Sequence, residues 1–294
     1  MLWHDGALHE SGMLTLAAGD RGLLLADGLF ETVLVVAGRP WRLADHLARL
    51  ERSAAAIGMP IDARPEEAIL ALSAYAAASR ELGGLAAIRV TVTRGAGPRG
   101  LKLPPHPSPS VFATLAPWQP AMAFQPVRLH LTAIRRNEFS PLSRIKSLSY
   151  LDNVLALEDA VRHGCDDALL MNTSGAVAAT SAGNVFALVG EALVTPPIED
   201  GVLPGITRQV VLAAATEAGL AVREQSLTVA ALETADAAFA TNSLRLLCPI
   251  IALDGGDIRR DARTIALMEA LRADIQADCG IDPFAEPAKA SQLL

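Results

Sequence analysis

The chain has 25 basic residues, of which only Lys102, Lys146 and Lys289 are lysines, leaving 22 arginines. Where arginine is the default cation, a lysine that follows an apolar residue is a candidate for amine chemistry. A partly buried ammonium can lose its proton and attack a carbonyl, and a guanidinium cannot. Lys146, in Arg144-Ile145-Lys146-Ser147-Leu148-Ser149-Tyr150-Leu151, fits that description; Lys102 sits in a proline-rich loop and Lys289 in a polar tail. The competing explanation is a lysine that snorkels from a helix end, and composition alone does not separate the two.

Three further stretches offer groups for binding anions. Gly205-Ile206-Thr207-Arg208 opens a predicted helix; glycine there lets free amides converge on a phosphate or carboxylate, with the Thr207 hydroxyl as another donor. An ordinary capped helix start would read the same way. Thr241-Asn242-Ser243-Leu244 brings hydroxyls to the end of a strand or forms a plain turn, and Arg94 with Arg99 flanks two glycines. Such a pair suits a substrate carboxylate unless both are solvated. An amine nucleophile with phosphate anchors implies an aldehyde cofactor carrying a phosphate handle, which is pyridoxal 5'-phosphate.

The elements that must position these groups follow from periodicity. A hairpin turning at Asp5-Gly6 is followed by a loop, Asp20 to Asp27, and by a central strand ending at Val36. Helices are predicted over Leu43–Ile57, which carries Arg49, and from Pro65 to Leu82; alternation predicts strands over Ala87–Arg94 and Val111–Leu115. Gly95-Ala96-Gly97-Pro98-Arg99-Gly100 matches the dinucleotide pattern G-x-G-x-x-G formally, but the prolines that follow exclude the helix it must open. Beyond Pro117-Trp118-Gln119-Pro120 come a strand from Val127, a helix from the Lys146 segment to about His163, four strands between Ala168 and Thr195, and the helix from Ile206. A strand near Val222, a short helix, two strands and a helix over Ala262–Asp278 complete the series. The expected organisation is an N-terminal α/β domain over 1–115, a linker over 116–125, a C-terminal cofactor-binding domain over 126–284 and a disordered tail over 285–294.

With 51% hydrophobic residues the chain can bury a large core, and a formal charge of −7 argues against nucleic-acid binding. No apolar run is long enough to span a bilayer and the N-terminus has no signal-peptide pattern. Cys165, Cys248 and Cys279 are too scattered for a disulfide framework or a zinc site. The expectation is a soluble cytoplasmic protein without metal.

Four segments, in this order, resemble the class IV aminotransferases over about residues 15–280. These are the fold-type IV pyridoxal-phosphate enzymes, which include branched-chain and D-amino-acid aminotransferases and 4-amino-4-deoxychorismate lyase. The segments are Arg21-Gly22 with Asp27-Gly28-Leu29-Phe30-Glu31-Thr32; His46-Leu47-Ala48-Arg49-Leu50; Ser140 to Leu151; and Leu203-Pro204-Gly205-Ile206-Thr207-Arg208. The resemblance implies an α/β (α+β) two-domain fold with the cofactor in the interdomain cleft, and a homodimer. It implies that Lys146 is the Schiff-base lysine and general base, that Arg49, Ile206, Thr207 and Ser243 hold the phosphate, that Tyr150 meets the phenolic oxygen and that Leu203 lies against the ring. Phe30 is expected on the pocket wall, with Arg94 and Arg99 for the substrate carboxylate. The first functional expectation is transfer of an amino group from a small amino acid to a 2-oxo acid. The alternatives are a pyruvate-releasing 4-amino-4-deoxychorismate lyase and a pyridoxal-phosphate-binding homologue of weak turnover.

Two departures from the family pattern bear on that choice. Where the family usually has a glutamate that pairs with the pyridine nitrogen, Gly175-Ala176-Val177-Ala178-Ala179 has Ala179. A carboxylate there would keep the nitrogen protonated and the ring electron-withdrawing; its absence predicts slower transamination or chemistry that asks less of the ring. Leu25-Ala26 replaces an aromatic and a glycine, which changes the pocket's shape.

Overall fold

Period-two runs build two sheets in the computed structural model, which describes residues 1–285. The first contains β1 (Leu2–His4), β2 (Ala7–His9), β3 (Gly28–Val36), β4 (Arg39–Pro40), β5 (Ala86–Thr93) and β6 (Ser110–Pro117), all antiparallel, in the order β2-β1-β6-β5-β3-β4. The second contains β7 (Val127–Arg136), β8 (Asp167–Asn172), β9 (Val177–Thr180), β10 (Asn184–Val189), β11 (Ala192–Thr195), β12 (Ala221–Glu224), β13 (Ala237–Asn242), β14 (Leu246–Leu253) and β15 (Gly256–Asp257). Its order is β12-β11-β10-β13-β14-β7-β8-β9, with β15 paired to β14. The pairings of β7 with β8 and β14 are parallel.

Among the described residues, seven α-helices cover these sheets: α1 (Arg21–Leu25), α2 (Leu43–Ala56), α3 (Arg64–Ala78), α4 (Leu151–Arg162), α5 (Ile206–Glu217), α6 (Val229–Thr234) and α7 (Arg263–Cys279). No helix among the described residues is long and apolar enough to cross a membrane. Except for Ala285, the tail expected over 285–294 lies outside the described residues.

Some elements differ from the sequence expectation. Asp20 to Leu25 is not a loop, because the Asp20 carboxylate accepts from the Gly22 and Leu23 amides and caps α1. β3 lies next to the edge of its sheet, shielded only by the two-residue β4. Lys146 precedes α4 in an extended segment, and the apolar residues Leu151, Val154 and Leu155 are exposed while Ala156 and Ala160 pack inward.

The two sheets share a core. Leu34, Val36 and Trp41 of the first pack with Phe186, Leu188 and Phe239 of the second and with Leu267 and Leu271 of α7. Burying each such side chain is worth about 1.5–3 kcal/mol. Polar ties reinforce the junction: Trp41 Nε1 donates to Asp274 Oδ2 at 2.8 Å, the Arg42 amide to Asp278 Oδ2 at 2.6 Å, and the Arg42 guanidinium pairs with Asp274.

Candidate active site

Lys146 reaches the space between the sheets because its segment docks on β3. The Phe30 amide donates to the Lys146 carbonyl at 2.9 Å and the Leu148 amide to the Gly28 carbonyl at 3.0 Å. This approach requires glycine at 28, where a Cβ would lie 2.5 Å from the Val92 carbonyl and 2.7 Å from Leu148 Cδ1. Glu138 steadies the preceding loop by accepting from the amides and hydroxyls of Thr173 and Ser174.

The half-buried Lys146 side chain enters a cavity of about 450 Å³. Its Nζ donates to the Tyr150 hydroxyl at 3.3 Å and lies 4.2 Å from the Phe30 ring centre, while Phe30 and Tyr150 meet edge to face at 5.0 Å. Across the cavity, α5 starts at Gly205 with no side-chain cap. A Cβ on Gly205 would fall 2.1 Å from Asn184 Oδ1, and Asn184 is fixed by its bond to the Leu203 carbonyl at 2.9 Å. The buried Thr207 Oγ1 and Thr241 Oγ1 in the cavity wall have no partner among the described residues. Two orphaned hydroxyls beside free helix N–H groups are costly unless a ligand oxygen meets them.

Arg49 is anchored from behind. Its Nε and Nη2 bond the two oxygens of Glu31 at 2.8 and 2.6 Å, and Nη1 donates to the Pro204 carbonyl at 3.1 Å. His46 Nδ1 lies 2.7 Å from Glu31 Oε2. Burial alone would raise the Glu31 pKa, but the charge and hydrogen bonds of Arg49, with the bond from His46, outweigh it and hold the carboxyl at about 2.

The cavity brings together Phe30, Arg49, Lys146, Tyr150, Leu203, Ile206, Thr207 and Ser243 from the sequence-derived set. It excludes Arg94 and Arg99. The Arg94 guanidinium is buried against Asp27 at 2.8 Å and donates to the carbonyls of Ile57 and Gly58; nothing remains to offer a substrate. Arg99 is on an exposed loop and does not line the cavity.

Other cations line the cavity. Arg89 on β5 stacks 3.6 Å from the Phe30 ring centre, and Arg136 on β7 donates to the carbonyls of Gly201 and Ser143. Desolvation by the walls lowers the pKa of both guanidiniums, which still carry full charge at neutral pH. The signal for Arg89 was present in the sequence: an arginine inside an apolar alternation, Ala87-Ile88-Arg89-Val90, needs an anion or water to face. Arg136 could not be distinguished from Arg135. Ala179 lines the cavity beside Thr180 and Ser181, and no aspartate or glutamate among the described residues does so.

Residues 28–253 match the family model for amino-transferase class IV, and the chain belongs to that family. It is 34% identical over 237 residues to a Methanocaldococcus jannaschii protein assigned as a branched-chain-amino-acid aminotransferase, covering 80% of this chain and 82% of that one. The 4-amino-4-deoxychorismate lyase of Pseudomonas aeruginosa is similar in structure, with a TM-score of 0.83 and 31% identity over 94% of this chain and 99% of that one. The pyridoxal-phosphate-bound structure of a hypothetical aminotransferase from Mycobacterium tuberculosis gives a TM-score of 0.84 at 25% identity, over 95% and 99%.

Enzymes of this family depend on pyridoxal 5'-phosphate, and the cavity suits it, being lined by an amine, an uncapped helix start, an orphaned hydroxyl and an anchored guanidinium. Gly205→Ala is therefore expected to displace Asn184 and tilt the start of α5. This costs about 1–3 kcal/mol of cofactor affinity, or roughly tenfold to a hundredfold, read by titrating the cofactor-free protein in absorbance.

Proposed function

We propose that the protein is an aminotransferase that moves the amino group of a small amino acid to a 2-oxo acid, using Lys146 and pyridoxal 5'-phosphate. The observation that carries this reading is that, among the described residues, a single reactive amine faces a cavity whose other charged side chains are all cationic. Arg49, the Ile206 and Thr207 amides, the Thr207 hydroxyl and Ser243 would hold the phosphate, Leu203 the ring and Tyr150 the phenolic oxygen. The cofactor, when bound, supplies an aldehyde that links to amines and a ring that draws electrons from the adjacent carbon.

The chain's own groups do the rest. Lys146 Nζ would hold the cofactor between turnovers and, freed when the substrate amine takes its place, would be the base positioned to accept the α-proton. The Tyr150 hydroxyl at 3.3 Å orients that amine. Arg89 and Arg136, in place of Arg94 and Arg99, receive carboxylates, so a dicarboxylate such as a five-carbon 2-oxo diacid fits as amino acceptor.

Ala179 supports a second reading, the pyruvate-releasing lyase, because expelling a β-substituent carries charge away through the leaving group and asks less of the ring. Purified protein supplied with amino acid and 2-oxo acid, and separately with aminodeoxychorismate, distinguishes them. Transfer that needs the 2-oxo acid is expected; pyruvate formed without any acceptor would establish the lyase. An absorbance spectrum that no amino acid changes would point to a binding protein of weak turnover. Ala179→Glu is expected to raise the pKa of the bound ring nitrogen by about 1–3 units and to speed transfer, checked by pH titration of the absorbance and by single-turnover rates.

A homodimer is supported by the exposed apolar side chains of Leu24 on α1, Leu151 and Val154 on α4, and Phe139, which is 83% exposed. Sedimentation equilibrium tests it, and a monomer would refute it. The three free cysteines support a reducing, cytoplasmic setting.

A further inference from the structure

A cluster outside the cavity is not used by any of this chemistry. His130 on β7 bonds Asp254 Oδ1 through Nδ1 at 2.6 Å, which turns its Nε2 toward Asp159 Oδ2 on α4, 3.6 Å away. His163, one turn beyond Asp159 at the end of α4, places Nδ1 3.5 Å from Asp159 Oδ1. Thr132 Oγ1 donates to Asp159 Oδ2 at 2.7 Å and fixes the carboxylate. The ligand atoms of His130, Asp159 and His163 lie within 4.8 Å of one another.

We propose that His130, Asp159 and His163 form a binding site for a zinc-class divalent cation, which ties the C-terminal end of α4 to β7. Two imidazoles and a carboxylate are the donor set that borderline cations such as Zn²⁺ prefer. Ligand atoms around a tetrahedral zinc stand about 3.3 Å apart, as follows from bonds of about 2.0–2.1 Å; the observed 3.5 and 3.6 Å run to different oxygens of Asp159 and the three ligand atoms lie within 4.8 Å, so the cation must draw the histidines inward onto the carboxylate. Asp254 holds His130 in the tautomer whose Nε2 lone pair is free, the role that an outer carboxylate plays for a metal-bound histidine. Asp159 and Asp254 together balance the charge of a dication. Arg128, the nearby cation, is already paired with Asp166 at 3.0 Å and does not compete.

One movement is required. The His130 and His163 rings stack at 3.9 Å and 14°, so their in-plane lone pairs run side by side and do not converge. His163, with 56% of its side chain exposed, must give up the bond from Nδ1 to the Asp159 carbonyl at 2.9 Å and lose that proton as it rotates toward the cation, while His130 and Asp159 are held by Asp254 and Thr132. Water completes the coordination on the exposed side. The cation is structural, since α4 carries Tyr150 and Asn153 to the cavity wall only at its other end.

The test uses tag-free, full-length protein loaded with pyridoxal phosphate, stripped with EDTA and titrated with zinc chloride by calorimetry. One site per chain is expected, with binding weakened at least about tenfold by His163→Ala and by His130→Gln. Saturating zinc should raise the wild-type Tm by about 5 °C and leave that of His163→Ala unchanged. The cofactor's absorbance spectrum should not respond in either protein, which keeps this outcome separate from the fate of the proposed function. Equal zinc affinity in the wild type and His163→Ala, or no heat in the wild type, would overturn the site. Because His163 is exposed, its replacement leaves the fold intact and the comparison interpretable.

Discussion

Lys146→Ala is expected to lower amine transfer by about 10²–10⁴-fold or more, the range lost with a positioned acid–base group, while cofactor still binds. The two effects separate because different elements carry them. The amine belongs to a segment docked on β3, whereas the proposed phosphate anchors lie on α5, Arg49 and the turn after β13, which line the same cavity. In the wild type, borohydride should fix the cofactor's mass to the peptide containing Lys146; in the variant it should fix none. A small primary amine added to the variant should restore part of the rate. If the variant were still labelled by borohydride on another residue, the role of Lys146 would be lost with it.

Glu31→Gln should cost about 3–5 kcal/mol, because it leaves the Arg49 guanidinium buried without its counter-charge. The effect has a pH signature. The folded-state pKa of Glu31, about 2, lies below its ordinary 4.5. The stabilisation from this carboxylate is therefore full above about pH 4.5 and disappears as pH falls toward 2. It amounts to about 3 kcal/mol at neutral pH. Urea melts at pH 7 and across the acid range check both: the variant should be weaker at pH 7 and flatter below pH 4.5. It should also bind cofactor less tightly, because Glu31 aims Arg49. Equal urea midpoints at pH 7 would remove Glu31 from this role.

How much of this could be read in the sequence depends on whether the signal was local. Lys146 was conspicuous because lysine is rare here, and the bounds of α2 and β5 and the start of α5 followed from apolar spacing within one residue. Arg94 was misread because its partner Asp27 lies 67 positions away, and spacing cannot tell an arginine that binds a carboxylate within the fold from one that waits for a ligand. α4 shows a second limit. Its amphipathic pattern was visible, but the side facing the sheet is the alanine side, and the leucines point outward. Apolar periodicity identifies a helix and leaves open what its apolar face meets. The absence of acid from the cavity had a local trace in Ala179, but that no other element supplies one is a property of the assembled walls.

The clasp of α7 on the first sheet bears on how the chain is made. Trp41 waits for Asp274 across 233 positions. A ribosome adding about 5–20 residues each second therefore leaves the first lobe's aromatic flank uncovered for roughly 10–50 s. Until α7 emerges, that nascent surface is a target for chaperones, and a premature stop before Arg263 would strand it there.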